Sequence, residues 1–211
     1  MRLKIVFIIL LMLAAKVQAQ DDPQAIKVLD AFSSKALKAP SVSMNYNMVT
    51  FSQADNSTKT IQGSVLISKD KYRLQLPDNT IYFNGQVSWS YLPAEKEVTV
   101  TKADKTDDSF MSRPSTIFTL YKSGYKCRLV DENDQSYTID LYPADIKNEL
   151  IRIRAIIKKP QLNPVSFEYK RRDGVTVTLN VISYDLTKQP AADDFTFQPA
   201  RFRDVEVIDM R

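Results

Sequence analysis

Residues 61–100 read IQGSVLISKDKYRLQLPDNTIYFNGQVSWSYLPAEKEVTV, and apolar side chains alternate with polar ones through most of this stretch. Alternation with a period of two is typical of β-strands that bury one face. Turn-forming residues interrupt it at Pro77-Asp78-Asn79, at Asn84-Gly85 and at Pro93-Ala94-Glu95. Asn84-Gly85 is a residue pair that favours a two-residue hairpin. The stretch therefore predicts an antiparallel meander.

The same alternation extends in both directions from this meander. Upstream, Val42, Met44, Tyr46 and Met48 occupy one face of a predicted strand. Downstream, further strands are predicted around residues 125–129, 137–141, 151–157, 165–169 and 175–181. The total is ten or eleven strands. We therefore expect a mainly β (α+β) chain with one large antiparallel sheet.

Two or three short helices are predicted beside the sheet. Ile26, Leu29, Phe32 and Leu37 recur at intervals of about three and four residues, which is typical of one apolar stripe on a helix. A second, short helix is expected after Pro114, where Ile117 and Phe118 are clustered. A sheet of this size tends to curl into a barrel or half-barrel. The helices would then cover its concave side, and the residues between are either ordinary core or the walls of a ligand cavity.

The first residues have the pattern of an export signal. Arg2 and Lys4 precede an apolar run over residues 5–15, and Val17-Gln18-Ala19 resembles a cleavage site. The run is shorter than the roughly 20 residues that span a bilayer, which disfavours a membrane anchor. We expect a cleaved signal peptide at residues 1–19, a single domain at residues 20–211, and a periplasmic location.

Composition excludes several classes of function. The chain of 211 residues has no His, which removes catalytic mechanisms and zinc sites that depend on it. Its four glycines stand far apart, so no glycine-rich phosphate loop can form. Without residues 1–19, 26 basic residues face 25 acidic ones, and nothing in this balance implies a nucleic-acid partner.

Candidate catalytic and metal-binding groups all have a structural interpretation. The acidic pairs Asp107-Asp108 and Asp193-Asp194 lie in polar connections, where solvated surface is expected. Residues 131–134 begin like a calcium loop but lack its later glycine and glutamate, so a hairpin turn is expected. Cys127 alternates with apolar neighbours and is expected to be a buried thiol. The sequence thus predicts no catalytic residue, no metal site and no cofactor.

Four segments carry a family resemblance. They are Gly63 to Leu74 with its Asp70-Lys71-Tyr72-Arg73-Leu74 end, residues 84–91 with Trp89-Ser90-Tyr91, Leu141-Tyr142-Pro143, and the closing Phe195-Thr196-Phe197-Gln198-Pro199 with residues 204–209. In order and spacing they cover essentially all of residues 22–211. Together they resemble the periplasmic lipoprotein carriers of the LolA type.

The resemblance implies an open, incomplete antiparallel β-barrel with helices roofing a concave apolar cavity. Such a cavity shelters the acyl chains of lipoproteins on their way from the inner to the outer membrane. The implied partners are acylated lipoproteins, an inner-membrane lipoprotein-releasing transporter and an outer-membrane acceptor, and a monomer is expected. The residues predicted to line the cavity are Leu29, Phe32, Leu37, Met44, Tyr46, Met48, Tyr72, Leu74, Ile81, Trp89, Ile117 and Phe118.

The sequence departs from the family at one position that matters for opening. The family often has an Arg-Pro pair after the strand near Gly63, whose Arg holds the lid shut, and here Lys69-Asp70 stands in its place. Lys69 is the candidate latch, with a point charge instead of a planar fork of donors. Two other functions remain open on the same fold: a general lipid or glycolipid carrier, and a lipid-sensing regulatory module.

Overall fold

The computed structural model describes residues 21–102 and 110–211. Its main element is a twelve-stranded sheet. The strands are β1 (Val42–Ser52), β2 (Ser57–Ser68), β3 (Lys71–Gln75), β4 (Thr80–Phe83), β5 (Val87–Leu92), β6 (Glu97–Lys102), β7 (Tyr125–Glu132), β8 (Ser136–Pro143), β9 (Leu150–Lys158), β10 (Asn163–Arg171), β11 (Val175–Asp185) and β12 (Glu206–Asp209). Their spatial order is β12-β6-β5-β4-β3-β2-β1-β11-β10-β9-β8-β7.

The sheet confirms the predicted fold class of an open, mainly antiparallel structure. Strands β7 and β12 are its two edges and do not pair with each other in the strand order. The predicted strand count was one or two too low, because β12 adds a strand that pairs parallel with β6. Alternation in a sequence shows where strands occur but not the direction in which the chain returns to the sheet.

In the described part of the chain, the α-helix α1 (Pro23–Lys38) precedes the sheet. The Asp22 side chain caps it by accepting hydrogen bonds from the backbone N–H groups of Gln24 (2.9 Å) and Ala25 (3.4 Å). The helix ends at Lys38, before Pro40. Its buried side includes Leu29 and Phe32, which face the sheet, whereas Leu37 lies at the margin of this stripe and is 50% exposed.

The roof over the concave face has a second part after β6. It consists of the two 3-10 turns Pro114–Phe118 and Leu120–Lys122. The predicted short helix is therefore present in the tighter 3-10 form. We call residues 110–122 the lid segment.

The turn between β4 and β5 has a different centre from the predicted one. The Asn84 N–H donates to the Val87 carbonyl (3.2 Å), so Gly85 and Gln86 are the two central residues. Asn84 uses its side-chain oxygen to accept from the N–H groups of Gln86 and Val87, both at 3.0 Å. Gly85 has a φ of +99°, a conformation that glycine adopts without strain.

The convex face of the β3–β6 region also carries apolar side chains, and this overturns one prediction. Cross-strand pairing places Arg73, Tyr82, Trp89 and Val100 in one row, on the face opposite to Leu74 and Ile81. Trp89 therefore lies on the convex face, and the prediction that it lines the cavity is wrong. Phe197, which follows the last antiparallel strand, packs on this face, and its ring lies 5.9 Å from that of Tyr82.

The residues before α1 protect the β7 edge of the sheet. At the β7 edge, the side chains of Asp21 and Asp22 accept hydrogen bonds from the N–H groups of Cys127 (2.9 Å) and Leu129 (3.2 Å). The Asp22 N–H donates to the Cys127 carbonyl at 3.0 Å. These bonds occupy backbone groups that would otherwise be open to pairing with another chain.

The predicted signal peptide, residues 1–19, lies outside the described residues, as does the pair Asp107-Asp108. Within the two described ranges, no helix has both the length and the apolar character needed to cross a membrane. The boundary of a single domain at residues 20–211 stays a prediction.

Candidate functional site

The candidate site is the apolar interior between the concave face of the sheet, α1 and the lid segment, and we call it the chamber. From α1 come Leu29 and Phe32, from the lid segment Ile117 and Phe118, and each is at most 6% exposed. The sheet provides a continuous apolar face because every second residue points inward. The inward-facing buried residues of the sheet include Met44, Tyr46, Val65, Ile67, Tyr72, Leu74, Ile139, Leu141, Ile153, Ala155, Ile157, Phe167 and Leu179.

Aromatic contacts join the roof of the chamber to its floor. The Phe32 ring lies 5.5 Å from the ring of Phe118 and 6.2 Å from that of Phe167 in β10. On the other side, Tyr46 meets Phe110 edge to face at 5.5 Å. Ring pairs at these separations attract each other beyond their burial alone. The helix, the lid segment and the sheet are thus packed together in the described structure.

The structure brings most of the predicted cavity residues into this chamber. Eight of them are buried in its core, namely Leu29, Phe32, Met44, Tyr46, Tyr72, Leu74, Ile117 and Phe118. Met48 and Ile81 are partly buried and pack against the same core. Leu37 stands at the rim and Trp89 on the opposite face of the sheet.

A small cavity remains at the rim, beside the last turn of α1. Its volume is about 30 Å³, and its lining includes Leu37, Lys69 and Phe118. Such a volume suits a single water molecule, whereas ligand pockets usually hold ~300 Å³ or more. The contacts of Phe118 with Phe32 and of Phe110 with Tyr46 close the lid over the described part of the chamber. Lys69, the candidate latch, has a left-handed φ of 57° in the turn between β2 and β3 and stands next to the lid segment.

Hydrogen bonds tie the lid segment to α1 and to the sheet. The Tyr121 hydroxyl donates to the carboxylate of Asp30 on α1 (2.6 Å). The Tyr72 hydroxyl donates to the backbone carbonyl of Ser112 (2.8 Å). Burial, together with the bond to Asp30, raises the pKa of Tyr121 to about 12, so its hydroxyl remains a donor at neutral pH.

Sequence reasoning did not single out Tyr121, Asp30 or Phe110 as site residues. Tyr121 belongs to the apolar cluster after Pro114, and that spacing was a usable signal. Phe110 stands in a polar stretch that breaks the strand pattern, so nothing around it indicated burial. Asp30 is an exposed helix residue whose role depends on a partner 91 positions away.

The remaining reactive groups are engaged in structural contacts. Burial raises the pKa of the Cys127 thiol to about 12, which keeps it protonated and unreactive at neutral pH. Asp194 forms an ion pair with Arg73 (2.7 Å), and Asp193 forms one with Arg201. Within the described ranges, no three or more His, Cys, Asp or Glu side chains are grouped so that they could hold a metal ion.

A family model agrees with this architecture. Residues 15–168 match the family described as outer membrane lipoprotein carrier protein LolA. The chain belongs to the LolA family. Among curated proteins, none matches the sequence significantly. The match covers α1, the lid segment and the sheet into β10, and so contains the elements that form the chamber except β11.

Solved structures are similar to this LolA-family chain. An uncharacterised conserved protein from Thermus thermophilus superposes with a TM-score of 0.57 at 12% identity, over 88% of this chain and 99% of the other. A LolA superfamily protein from Nitrosomonas europaea gives a TM-score of 0.44 at 12% identity, over 82% and 97%. The first of these likenesses supports the fold.

Membership in the LolA family supports a binding role of the carrier type, directed at lipoproteins or lipids. The family is periplasmic. Its members are in general carriers without catalytic activity, which suits a chamber built from apolar side chains.

Proposed function

We propose that this protein is a periplasmic carrier that shelters the acyl chains of lipoproteins in the chamber and shuttles them from the inner to the outer membrane, without catalysis. The observation that carries the proposal is the roofed apolar face. Phe32 and Phe118 together close it against the sheet. Because the lid is closed in the described structure, loading requires the lid segment to move away from the sheet.

The energetics favour such an exchange. Each acyl CH₂ removed from water gains about 0.8 kcal/mol, so an unsheltered lipoprotein cannot leave its membrane at a useful rate. Transfer from the bilayer to the chamber exchanges one apolar environment for another, and its free-energy change can be near zero. We propose that an inner-membrane lipoprotein-releasing transporter drives loading of the monomeric carrier and that an acceptor at the outer membrane removes the lipoprotein.

Photo-crosslinking tests the chamber directly. A photoreactive phenylalanine analogue in place of Phe118 preserves an aromatic ring in the lid, and we expect it to crosslink to the acyl chains of bound lipoproteins. The matched control carries the same analogue in place of Trp89, on the convex face, and should give no lipoprotein crosslink. Equal crosslinking from both positions, or none from Phe118, would contradict the chamber assignment.

A second measurement identifies the cargo. Native mass spectrometry of protein purified from the periplasm, followed by extraction, should recover acylated lipoproteins. Free fatty acids or glycolipids alone would instead indicate a general lipid carrier. An empty protein that pulled down a membrane regulator would indicate a sensor.

Phe118→Glu and Leu74→Glu should abolish release of lipoproteins from inner-membrane vesicles, provided that circular dichroism shows the variants folded.

A further inference from the structure

The loop between β8 and β9, residues 144–149, carries an apolar side chain that projects into solvent. Ile146 is 82% exposed, the highest value among the large apolar side chains described. Tyr142 and Ile151, at the two sides of the loop, are 37% and 40% exposed. We propose that this loop docks the protein on the surface of an anionic lipid bilayer, with Ile146 entering the interface.

The loop has a backbone suited to approaching a less polar layer. The Asp145 side chain accepts from the Lys147 N–H (2.8 Å), and the Asp145 carbonyl accepts from the Asn148 N–H (3.1 Å). The Asn148 side chain accepts from the Leu150 N–H (2.8 Å). These bonds hold a tight turn with Ile146 at its tip. Since these polar groups are paired within the loop, moving it toward lipid costs less than it would for an irregular loop.

Basic residues surround this tip on both sides. The Ala144 N–H donates to the Gly124 carbonyl (2.8 Å), which places residues 122–126 along one flank. On the other flank, the Arg172 backbone N–H donates to the Glu149 carbonyl (2.9 Å). The Arg172 guanidinium donates to the Asn148 carbonyl (2.8 Å). Residues 122–126, 144–149 and 170–173 meet at this end of the sheet. Their basic residues are Lys122, Lys126, Lys147, Lys170, Arg171 and Arg172.

The balance of charge at this end favours an anionic surface. Residues 122–126, 144–149 and 170–173 together hold six basic and three acidic side chains, a net charge of +3. Arg171 forms ion pairs with two of the acids, Glu149 (3.1 Å) and Asp173 (3.0 Å). Residues 20–211 as a whole have a net charge of about +1, so positive charge is concentrated around Ile146.

The chemistry of this surface fits lipid better than a protein partner. Centres of protein interfaces are depleted in lysine and rich in aromatic side chains. Here lysines around one protruding aliphatic tip can remain near lipid phosphates while the tip enters the acyl boundary. Each basic residue close to an anionic membrane strengthens binding about fivefold.

The position of this surface connects it to the lid. Lys122 is the last residue of the second 3-10 turn of the lid segment, and Gly124 bonds the docking loop. Docking would bring the C-terminal end of the lid to the membrane where a lipoprotein is received or released. The role of docking in lipoprotein transfer rests on the proposed function. The docking itself can be measured without any lipoprotein.

Vesicle flotation tests the docking with exported protein whose mass shows that the N-terminal signal is absent. We expect binding to mixed phosphatidylcholine and phosphatidylglycerol vesicles but not to phosphatidylcholine alone, and loss of binding in concentrated salt, which screens the charges. Ile146→Ser should weaken binding roughly tenfold. Lys147→Glu should weaken it about fivefold or more. Two control variants, Ile182→Ser at a 58% exposed site and Lys158→Glu at the far end of β9, should bind like the wild type.

Several outcomes would overturn the docking. They are equal binding to neutral and anionic vesicles, unchanged binding of Ile146→Ser, and binding only to vesicles that contain inner-membrane proteins. A fluorescent fatty acid offered without vesicles separates this test from the carrier test, since Ile146→Ser should take it up normally. A wild type that binds anionic vesicles through Ile146 but takes up no acyl chain would leave the docking intact and contradict the carrier.

Discussion

Tyr46 on β1 lies directly across the ladder from Gly63 on β2, and its ring occupies the space that a side chain at Gly63 would need. A Cβ added to Gly63 would lie 2.6 Å from both Cζ and the hydroxyl oxygen of Tyr46. Tyr46 is fully buried and packs edge to face on Phe110 of the lid segment. Because position 63 has no side chain, the Tyr46 ring can lie there and contact Phe110 of the lid segment.

Gly63→Ala should destabilise the protein, because the added methyl group overlaps a ring that cannot move within a packed core. Overpacking of this kind costs about 1–3 kcal/mol in the free energy of unfolding, which urea denaturation measures. In a Tyr46→Leu background the loss from Gly63→Ala should be smaller, since the ring is gone. Equal losses in both backgrounds would show that the ring is not the cause.

Tyr46→Phe, in contrast to Gly63→Ala, should not destabilise the protein. Among the described residues the Tyr46 hydroxyl has no hydrogen-bond partner, and burial raises its pKa. Removing an unpaired buried hydroxyl leaves stability unchanged or raises it by up to about 1 kcal/mol. A loss of more than about 1 kcal/mol on urea denaturation would reveal a hydrogen bond that Tyr46 makes in solution.

The period of two in the sequence was sufficient to predict most of the sheet but not which residues face the chamber. Alternation divides a strand into two sets, and the more apolar set is assumed to face the core. In β5 this fails because the more apolar set, Trp89 and Tyr91, faces the convex side. Phe197 and Phe202 pack on Tyr91 at 5.2 and 4.6 Å on the convex side, where Trp89 also points. On the concave side, Ser88 and Ser90 stand in the rows of Phe83 and Ile81.

The sequence also could not show how closely the lid segment packs against α1. The helical spacing of Leu29 and Phe32 predicted the apolar stripe of α1, and the cluster after Pro114 predicted the lid. How tightly the two pack depends on side-chain contacts between distant segments, such as Phe32 with Phe118. The bond between Tyr121 and Asp30 has the same origin, and no local pattern reveals it.

Tyr121→Phe should loosen the lid, since it removes the hydroxyl that donates to Asp30. A net loss of about 1 kcal/mol corresponds to a roughly fivefold increase in the open population. Hydrogen exchange in residues 110–122 should accelerate accordingly, and uptake of a fluorescent fatty acid should become faster. The matched control is Tyr142→Phe, which removes a hydroxyl that donates to Asp140 on the convex face (2.9 Å). Faster uptake in both variants would mean that the lid bond is not responsible.

A buried carboxylate lies on the convex face of the sheet, between β8 and β9. Asp140 on β8 is 1% exposed and accepts from Arg154 on β9 through Nε (2.6 Å) and Nη2 (2.8 Å). Burial by itself would raise the pKa of Asp140, but the hydrogen bonds from Arg154 and Tyr142 and the charge of Arg152 outweigh it and lower that pKa. The folded protein therefore holds Asp140 ionised more firmly than the unfolded chain does.

Arg154→Met should cost about 2–3 kcal/mol of unfolding free energy at neutral pH, because it leaves this carboxylate buried with only part of its pairing. A lowered folded pKa stabilises the protein above the unfolded value of about 3.9, and this stabilisation is lost as the pH falls through the folded pKa. The difference between wild type and Arg154→Met should thus narrow below about pH 4. Arg171→Met, which breaks exposed ion pairs, should change stability by less than about 1 kcal/mol. A difference that did not depend on pH would mean that Arg154 stabilises the sheet by packing and not by its charge.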